Sequence, residues 1–386
     1  MPTVASYCTT FLKAEMRHIY RQVTGLQRYR TFVICKERQC EERYPFGDVL
    51  VAPKARSNFV RRFWLKYIKR EPPIVYRGEY GVLARLLAAR EADLMHVYFG
   101  HTGVHLLSFL RRWPKPALVS FHGMDIQTRD DRAGYAENLR SLLETVPMVL
   151  ARSESLKGRL IELGCAPGKI RLNRTGIPMS EFPFVERCRP ADGGWRFVQA
   201  CRLVEKKGID VALRAFARFA AHYPKALFSI AGDGPLEKPL ETLAAELGLA
   251  DKVRFTGFLN QADLRNLYHQ SHLFVHPSHL TADQNQEGIP NSMIEAMATG
   301  LPVLATRHGG IPEAVRAEFT GLLGRERDED GLLENMERLA SEPGLWERLG
   351  RQAARDVREN FEQSSQIARL EDCYDELLEM GMGNRK

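Results

Sequence analysis

Hydrophobic positions along the chain follow two alternating patterns. Short runs of β-branched and aromatic residues are separated by longer stretches in which apolar positions recur every three or four residues. Buried strands that alternate with amphipathic helices predict parallel sheets covered by helices on both faces. In the first half of the chain we predict strands over 31–35, 94–98, 117–121, 148–151 and 169–172, and helices that include 81–91 and 155–163.

The alternation stops between residues 178 and 194, where three prolines and a Gly-Gly pair interrupt the apolar periodicity. Such a segment predicts an interdomain linker. Beyond it we predict strands over 195–200, 226–231, 252–256, 272–275 and 302–305, helices over 208–221 and 235–247, and a long helical tail over 328–378.

A chain of 386 residues is long for a single hydrophobic core. We therefore predict a doubly wound α/β domain over 1–180, a second one over 195–360, and a final helix over 361–386 that crosses back to the first domain. Two such domains in tandem would place the carboxyl ends of both sheets near a shared cleft, where ligands bind in these folds.

Composition narrows the class of protein. Hydrophobic residues make up 44% and charged residues 27% of the chain, as in ordinary globular proteins. The chain has no run of about 18 uncharged apolar residues, so no transmembrane helix is predicted, and its first residues do not resemble a signal peptide. The seven cysteines are scattered, without a Cys-x-x-Cys pair. They argue against disulfides and structural zinc, and favour a cytoplasmic location.

Positive charge is concentrated in the first half of the chain. Residues 1–180 contain 30 Lys and Arg against 16 Asp and Glu, whereas the remainder contains 25 against 32. A basic domain indicates an anionic partner, such as membrane lipid, a phosphorylated acceptor or nucleic acid, or simply a solvated basic surface. No nucleic-acid-binding motif is recognisable, so we predict no nucleic acid partner.

One segment of the first half, residues 59–70, combines aromatic and basic residues at helical spacing. Its apolar side chains fall on one helical face, and its cations fall off that face. Such a helix could lie on the anionic inner face of a membrane, or it could pack its aromatic face on the sheet and leave the cations in solvent. The apolar positions are Phe59, Val60, Phe63, Trp64, Tyr67 and Ile68, and the cations are Arg61, Arg62, Lys66, Lys69 and Arg70.

The most informative motif spans residues 287–303. Proline and asparagine favour a helix start and Gly-x-Pro favours its end, so we predict a short helix over 291–299 with Glu287 in the loop before it. The free backbone N–H groups at the start of that helix suit a diphosphate. Glu295 could accept hydrogen bonds from a ribose diol, and Glu287 from sugar hydroxyls. The alternative is an ordinary helix with an acidic residue near its start.

The stretch 287–303, followed by 309–313, resembles the signature of retaining glycosyltransferase family four, also called group one glycosyl transferases. Glu287 and Glu295 are separated by seven residues, as the two glutamates of that family are. The resemblance covers nearly the whole chain. It implies the GT-B fold, in which two Rossmann-like doubly wound domains surround a central cleft, and a reaction that needs neither a bound metal nor a cofactor.

The resemblance also implies the substrates. The donor would be a nucleoside-diphosphate sugar, and the acceptor a glycan that we expect to be lipid-linked. The segment 10–19 is similar to the subset associated with exopolysaccharide synthesis, in which this segment opens the first helix. Many members have a glycine-rich first loop that this chain lacks, and the hydroxyls of Thr9 and Thr10 could replace its phosphate contacts. We therefore predict a cytoplasmic hexosyltransferase of polysaccharide biosynthesis in peripheral contact with the membrane.

Matched residue by residue, the resemblance assigns a site. Arg202 and Lys207 would bind the donor diphosphate, with Lys206 as the competing candidate for the role of Lys207. Hydrogen bonds from these cations would strengthen as charge develops on the leaving diphosphate and so lower the barrier. The expected catalytic residues are His122, Arg202, Lys207 and Glu287, and the expected nucleotide-binding residues are Gly232, Phe258, Asn291, Ser292 and Glu295.

The first domain contributes histidines at the ends of predicted strands. The family has a histidine in the context of His122, close to the donor sugar and the reacting carbon. From the residues alone, a structural histidine at a strand end is the alternative. His101 and His105 follow another predicted strand and are candidates for acceptor contacts.

Other functions fit parts of the sequence. A sugar-nucleotide epimerase shares the two-domain fold, and a non-catalytic nucleotide-sugar-binding protein would keep Arg202 and Glu295. A metal-dependent transferase of the other common fold needs an Asp-x-Asp at a strand end, but the triplet here, 328–330, begins the helical tail. A nicotinamide-binding fingerprint that begins at Gly232 would need a third glycine where Glu237 stands, so we reject it.

Overall fold

The computed structural model describes residues 1–13, 16–54, 58–126, 134–283 and 285–383. The chain folds into two compact units. The first consists of Met1–Gly176 and Ser364–Lys386, and the second of Ile177–Gln363. Each unit contains a parallel sheet with helices between its strands, so the predicted pair of doubly wound α/β domains is confirmed.

The first unit is built around a seven-stranded sheet. The strands of the unit, including two outside this sheet, are β1 (Thr3–Tyr7), β2 (Thr10–Phe11), β3 (Arg30–Cys35), β4 (Glu37–Arg38), β5 (Val49–Val51), β6 (Leu94–Tyr98), β7 (Ala117–Phe121), β8 (Met148–Ala151) and β9 (Ile170–Leu172). The sheet order is β5-β3-β1-β6-β7-β8-β9, and β2 pairs with β4 apart from it. The order reverses between β1 and β6, which is where a doubly wound sheet opens a ligand site at its carboxyl edge.

All helices of the first unit except α2 bury apolar side chains. Leu106 and Phe109 from one helix and Leu139 and Leu142 from the next join the strand residues in one continuous core. The helices are α1 (Arg17–Gly25), α2 (Phe59–Phe63), α3 (Pro73–Tyr76), α4 (Glu79–Ala89), α5 (Gly100–Leu110), α6 (Tyr135–Thr145) and α7 (Glu154–Glu162).

The second unit repeats the plan with six strands. They are β10 (Arg196–Ala200), β11 (Leu227–Ala231), β12 (Val253–Gly257), β13 (Leu273–His276), β14 (Val303–Thr306) and β15 (Gly321–Gly324), in the order β12-β11-β10-β13-β14-β15. Here the order reverses between β10 and β13. The helices are α8 (Ile209–His222), α9 (Glu237–Glu246), α10 (Gln261–Gln270), α11 (Asn291–Ala298), α12 (Ile311–Ala314), α13 (Glu329–Ser341) and α14 (Leu345–Phe361).

The last helix, α15 (Gln363–Gly383), belongs almost entirely to the first unit. Its Glu371 is buried and accepts hydrogen bonds from the backbone N–H groups of Gln27 and Arg28, both at 2.6 Å. On the same helix the hydroxyl of Tyr374 lies 2.7 Å from Nδ1 of the buried His96. These buried polar contacts, together with apolar packing, fix the helix on the first sheet.

The predicted helical tail consists of three helices, because Gly344 in a left-handed conformation separates α13 from α14 and an extended Glu362 separates α14 from α15. One prediction about elements was wrong. Thr10 and Phe11 do not open the first helix, because they form β2 beside Glu37 and Arg38, and α1 begins only at Arg17.

The segment 59–70 forms α2 and then a π-helical turn, Trp64–Ile68, with no buried side chain in either. Phe59 is 78% exposed and Ile68 is 63% exposed. The aromatic face therefore does not pack on the sheet, and that alternative is wrong. Among the described residues, no helix combines the length and the hydrophobicity that crossing a bilayer requires.

Candidate functional site

The reversal of strand order in the second unit brings two loops together at the carboxyl edge of its sheet. One loop follows β10 and contains Lys206 and Lys207, and the other follows β13 and leads through Glu287 into α11. Ligands of doubly wound sheets bind at this position. The structure therefore brings together, at one edge, most of the residues that the sequence assigned to the donor.

Glu287 lies between the two lysines, and we call these three residues the lysine–glutamate cluster. Its carboxylate accepts a hydrogen bond from Nζ of Lys207 and lies 3.8 Å from Nζ of Lys206. All three side chains are largely buried, with 10–15% of each exposed. Burial by itself raises the pKa of Glu287, but the two lysines outweigh it and lower the pKa to about 2. Glu287 is thus ionised at neutral pH. Burial lowers the pKa of Lys206, and the charge of Glu287 opposes that shift.

The backbone of Glu287 is held by hydrogen bonds that run through His308 to Glu326. The N–H of Glu287 donates to Nε2 of His308 at 3.0 Å, and Nδ1 of His308 lies 2.7 Å from the carboxylate of Glu326. This geometry assigns the ring proton to Nδ1. Gly309 has a positive φ of 54°, and a Cβ there would lie 2.0 Å from the carbonyl oxygen of Glu287. Glycine is therefore required where this loop meets the next one.

The loop after β10 is held against the turn after β11. The N–H of Cys201 donates to the carbonyl of Ala231 at 2.9 Å. Gly232 has a φ of 132°, and a Cβ on it would lie 1.9 Å from the carbonyl oxygen of Cys201. The sequence assigned Gly232 to nucleotide binding, and the structure shows that it permits this approach of the two loops. Arg202, in the same loop, has an exposed side chain with no ion-pair partner in the described part of the chain.

Helix α11 is fixed to the end of β10 by Ser292. The hydroxyl of Ser292 donates to the carbonyl of Ala200 at 2.6 Å, and its own carbonyl accepts from the hydroxyl of Tyr268 at 3.2 Å. Oδ1 of Asn291 is buried without a hydrogen-bond partner among the described residues. Glu295 is 7% exposed, one turn further along the helix. The first turn of α11 thus presents its backbone N–H groups beside the lysine–glutamate cluster.

Phe258 lies apart from this cluster. It follows β12, the edge strand of the second sheet, and is 52% exposed. A large exposed aromatic ring at the carboxyl edge of a sheet offers a flat apolar surface, as a nucleobase requires.

His122 follows β7 in the first unit and is surrounded by other rings. Its ring centroid lies 4.6 Å from that of Phe99 and 5.2 Å from that of His18, and its Nε2 lies 3.1 Å from the hydroxyl oxygen of Ser120. Burial lowers the pKa of His122 well below its usual value, and the nearby Arg152 lowers it further. The imidazole is therefore neutral at physiological pH.

Asp125 positions His122 and was not assigned a role from the sequence. Its carboxylate accepts three backbone hydrogen bonds, from His122 at 2.9 Å and from Gly123 and Gly100 at 2.8 Å. It therefore joins the loops that follow β6 and β7. A sequence signal existed, because an aspartate three residues after a strand-end histidine is typical of a side chain that closes a tight turn on its own backbone.

The other residues of the first unit that the sequence suggested, His101, His105 and Thr9, do not all join His122 in one cluster of described contacts. His101 is exposed at the start of α5. His105 contacts an ion pair formed by Glu79 and Lys36. Its Nε2 lies 2.7 Å from the Glu79 carboxylate and 3.0 Å from Nζ of Lys36. The hydroxyl of Thr9 lies 3.3 Å from that of Thr102 on α5. The first loop is thereby held to the start of α5.

Sequence reasoning missed His276, His308 and Glu326 in the second unit. His276 ends β13 with both ring nitrogens buried and unpartnered within the described residues, and burial together with Lys207 lowers its pKa to about 3. The sequence signal that could have identified His276 was its position at the end of a strand. In the described ranges, no group of three His, Cys, Asp or Glu side chains has a metal-binding arrangement. Asp328 serves as the N-cap of α13.

Two family models match the chain. The model described as glycosyl transferases group 1 matches residues 187–356, and the model described as glycosyltransferase family 4 matches residues 17–181. The amylovoran biosynthesis glycosyltransferase AmsK of Erwinia amylovora is 32% identical over 276 residues, which are 68% of this chain and 67% of AmsK. WcaL of Salmonella typhimurium, named for colanic acid biosynthesis, is 35% identical over 62% of this chain. The chain spans about 60% of the length of the curated WcaL relatives it matches.

Solved structures share the fold. A glycosyltransferase from Rickettsia africae superposes with a TM-score of 0.76 at 17% identity and covers 98% of both chains. HepE of Anabaena, solved in complex with UDP, superposes with a TM-score of 0.76 at 17% identity over 97% of this chain and all of its own. Both neighbours are two-domain proteins of the predicted fold class, so that prediction is confirmed.

The lysine–glutamate cluster predicts a specific pH dependence of stability. The pKa of Glu287 falls from 4.5 to about 2 in the folded chain, so the cluster stabilises the fold above pH 4.5 and loses this contribution as the pH falls toward 2. We expect the difference in unfolding free energy between the wild type and Glu287→Gln to narrow between pH 5 and pH 3. Urea unfolding at each pH measures it. Glu241→Gln, which removes an exposed carboxylate from α9, is the control and should show no such narrowing.

Proposed function

The chain belongs to the glycosyl transferases group 1 and is a glycosyltransferase, and from this premise we propose the reaction that it catalyses. It transfers a hexose from a nucleoside-diphosphate sugar to a glycan acceptor, with retention of configuration at the anomeric carbon and without a bound metal. The observation that carries the proposal is the lysine–glutamate cluster beside the first turn of α11, at the carboxyl edge of a doubly wound sheet.

Lysine side chains and backbone N–H groups bind the donor diphosphate. Lys207 and Lys206 contact Glu287, α11 begins four residues after Glu287, and both the lysines and the N–H groups at the start of α11 favour an anion. Arg202 leaves the same loop with an exposed guanidinium and reaches the diphosphate from solvent. The negative charge that develops on the leaving group is therefore met by cations of the protein, as a metal ion would meet it elsewhere.

The two glutamates bind the two sugars of the donor. Glu287 sits against Lys207, so a hydroxyl of the transferred hexose that donates to Glu287 is held next to the diphosphate that departs. Glu295 lies one turn into α11, where its carboxylate accepts from the ribose diol. Phe258 borders the base. HepE, which shares the fold, is solved with UDP and with UDP-glucose, and a uridine donor is the first to test.

The reaction itself breaks the bond from the anomeric carbon to the diphosphate oxygen. A bond to the acceptor hydroxyl oxygen forms on the same face of the sugar, and the hydroxyl proton passes to the departing phosphate. No carboxylate nucleophile is needed in this scheme, unlike in a retaining glycosidase. His122, assigned by resemblance, borders the reacting carbon as a neutral imidazole that can donate or accept one hydrogen bond.

The acceptor is a growing polysaccharide at a membrane surface. AmsK and WcaL are named for amylovoran and colanic acid biosynthesis, and we extend that class of product to this chain. The segment 59–70 supports the membrane assignment, because it exposes Phe59, Val60, Phe63, Trp64, Tyr67 and Ile68 together with five cations. An exposed apolar surface bordered by cations suits the interface of an anionic bilayer.

The proposed reaction predicts ligand-specific stabilisation and turnover without metal. Among UDP-, GDP- and ADP-sugars, at least one should raise the melting temperature, since a ligand at 100 times its Kd adds about 2.7 kcal/mol of stability. With that donor and a glycan acceptor, release of the nucleoside diphosphate should continue in EDTA. Turnover that stops in EDTA and returns with Mn²⁺ would refute metal independence, and stabilisation by none of the donors would refute the function.

The two glutamates should differ in which step they affect. Glu295→Ala removes the ribose contact and should weaken binding of the bare nucleoside diphosphate about tenfold or more, because a hydrogen bond to a charged group is lost. Glu287→Gln removes a contact to the transferred hexose and lowers kcat, but it should not weaken diphosphate binding, because both lysines remain and the anion between them is gone. Calorimetry with the diphosphate and steady-state kinetics measure the two effects. Equal losses of diphosphate affinity in the two variants would contradict the assignment.

Membrane binding should depend on the cations of segment 59–70. Replacement of Arg61, Arg62, Lys66 and Lys69 by Gln should release the protein from phosphatidylglycerol liposomes in a sedimentation assay, since each cation near an anionic surface contributes about 1 kcal/mol. Wild-type binding should fall as salt rises, because salt screens the attraction.

The control for this assay is a variant that loses the same number of positive charges, four, at other exposed positions of the first unit. Nucleotide-sugar binding should be unchanged in both variants, and only the segment variant should lose liposome binding. Wild-type protein that stays in the supernatant at low salt would show that the segment does not bind membranes. The control replaces the exposed Arg85, Arg112, Arg140 and Arg159 with Gln.

A further inference from the structure

A cavity of about 430 Å³ lies within the first unit, beside the carboxyl ends of β1 and β3. Tyr7 ends β1, Ile34 lies near the end of β3, and Leu83 and Leu106 from α4 and α5 complete an apolar wall. The carboxyl edge is the side of a doubly wound sheet on which ligands bind. The position and size of this cavity therefore suit a small-molecule site.

The polar lining of the cavity is dominated by cations. Lys36, Lys54, Arg62 and Arg77 line it, and Glu79 is its one carboxylate. These cations come from four different parts of the chain: the ends of β3 and β5, helix α2, and the turn between α3 and α4. Convergence of cations from separate elements on one space is unlike the scatter of charge on a solvated surface and favours a polyvalent anion.

Glu79 does not oppose an anion, because its charge is already compensated. Its Oε2 lies 2.7 Å from Nζ of Lys36 and 2.7 Å from Nε2 of His105. Burial raises the pKa of Glu79, but these two partners outweigh burial and lower the pKa to about 2. Lys36 and Glu79 thus form a fixed ion pair in the wall, and Lys54, Arg62 and Arg77 remain as exposed cations around the cavity.

Segment 59–70 borders the cavity through one of its cations. Arg62 lines the cavity, and its guanidinium carbon lies 5.9 Å from the ring centroid of Tyr76. Nζ of Lys66 lies 6.0 Å from the same ring. A molecule that enters the cavity at Arg62 would therefore contact segment 59–70.

We propose that this cavity binds a phosphate or diphosphate group of the acceptor, through Lys54, Arg62 and Arg77 at the rim and against the apolar wall inside. The inference rests on the proposed function, since it names the chemical class of the acceptor of that reaction. A lipid diphosphate and a soluble sugar phosphate share this chemistry, and the probes below separate the two sources.

Calorimetry on the full chain tests the site while the donor edge is saturated with the nucleoside diphosphate found in the donor screen. The probes are farnesyl diphosphate, inorganic pyrophosphate and glucose 1-phosphate. The variant Lys54→Gln with Arg77→Gln should bind the preferred probe on the order of tenfold or more weakly, because charge-assisted contacts are lost. Tighter binding of farnesyl diphosphate than of pyrophosphate assigns a lipid source, and equal binding assigns a soluble one.

The matched control is Arg85→Gln with Arg112→Gln, which removes two exposed cations outside the cavity and should bind every probe as the wild type does. Lys54→Gln alone, on an exposed loop, keeps the test valid if the double variant unfolds. Equal affinity of the wild type, the cavity variants and the control overturns the proposal. A chain that binds no nucleotide donor at all would instead refute the proposed function, so the two failures are distinguishable.

Discussion

The arrangement of the second unit depends on one buried carboxylate between two lysines. A charge this far from water is tolerated only with a close partner, and removal of either partner leaves an uncompensated charge. Lys207 and Glu287 come from loops that are 80 residues apart, so their pairing requires both loops to meet at the strand-order reversal. Three contacts hold these loops in place. They are the close approach at Gly232, the close approach at Gly309 and the hydrogen bond from Glu287 to His308.

The sequence predicts the parts of this arrangement that are local. Strand ends, the short helix over 291–299 and the spacing of Glu287 and Glu295 follow from periodicity and from helix-start chemistry, and the structure places α11 at Asn291–Ala298. The partnership of His308 with Glu287 is different in kind. It depends on how β14 lies beside β13, and a one-dimensional pattern does not contain that information.

The segment 59–70 also shows what a one-dimensional pattern cannot predict. A helical period reports which side chains share a face but not what covers that face, so the sequence left both burial on the sheet and exposure open. The tail shows it again. Periodicity continues through 328–378, but one left-handed glycine and one extended glutamate redirect the chain between helices. The first loop is a further case, because the contact of Thr9 with Thr102 joins segments that are 93 residues apart.

Charge is distributed on two scales that have different consequences. The second half of the chain is acidic overall, yet its proposed donor edge carries a local excess of positive charge from Lys206 and Lys207. Exposed charges are screened beyond about 10 Å at moderate salt, so the buried cluster, not the net charge, sets the potential that a diphosphate meets. In the first unit, the exposed cations of segment 59–70 and of the cavity beside it contribute to the positive excess, and we assign them to a different anion.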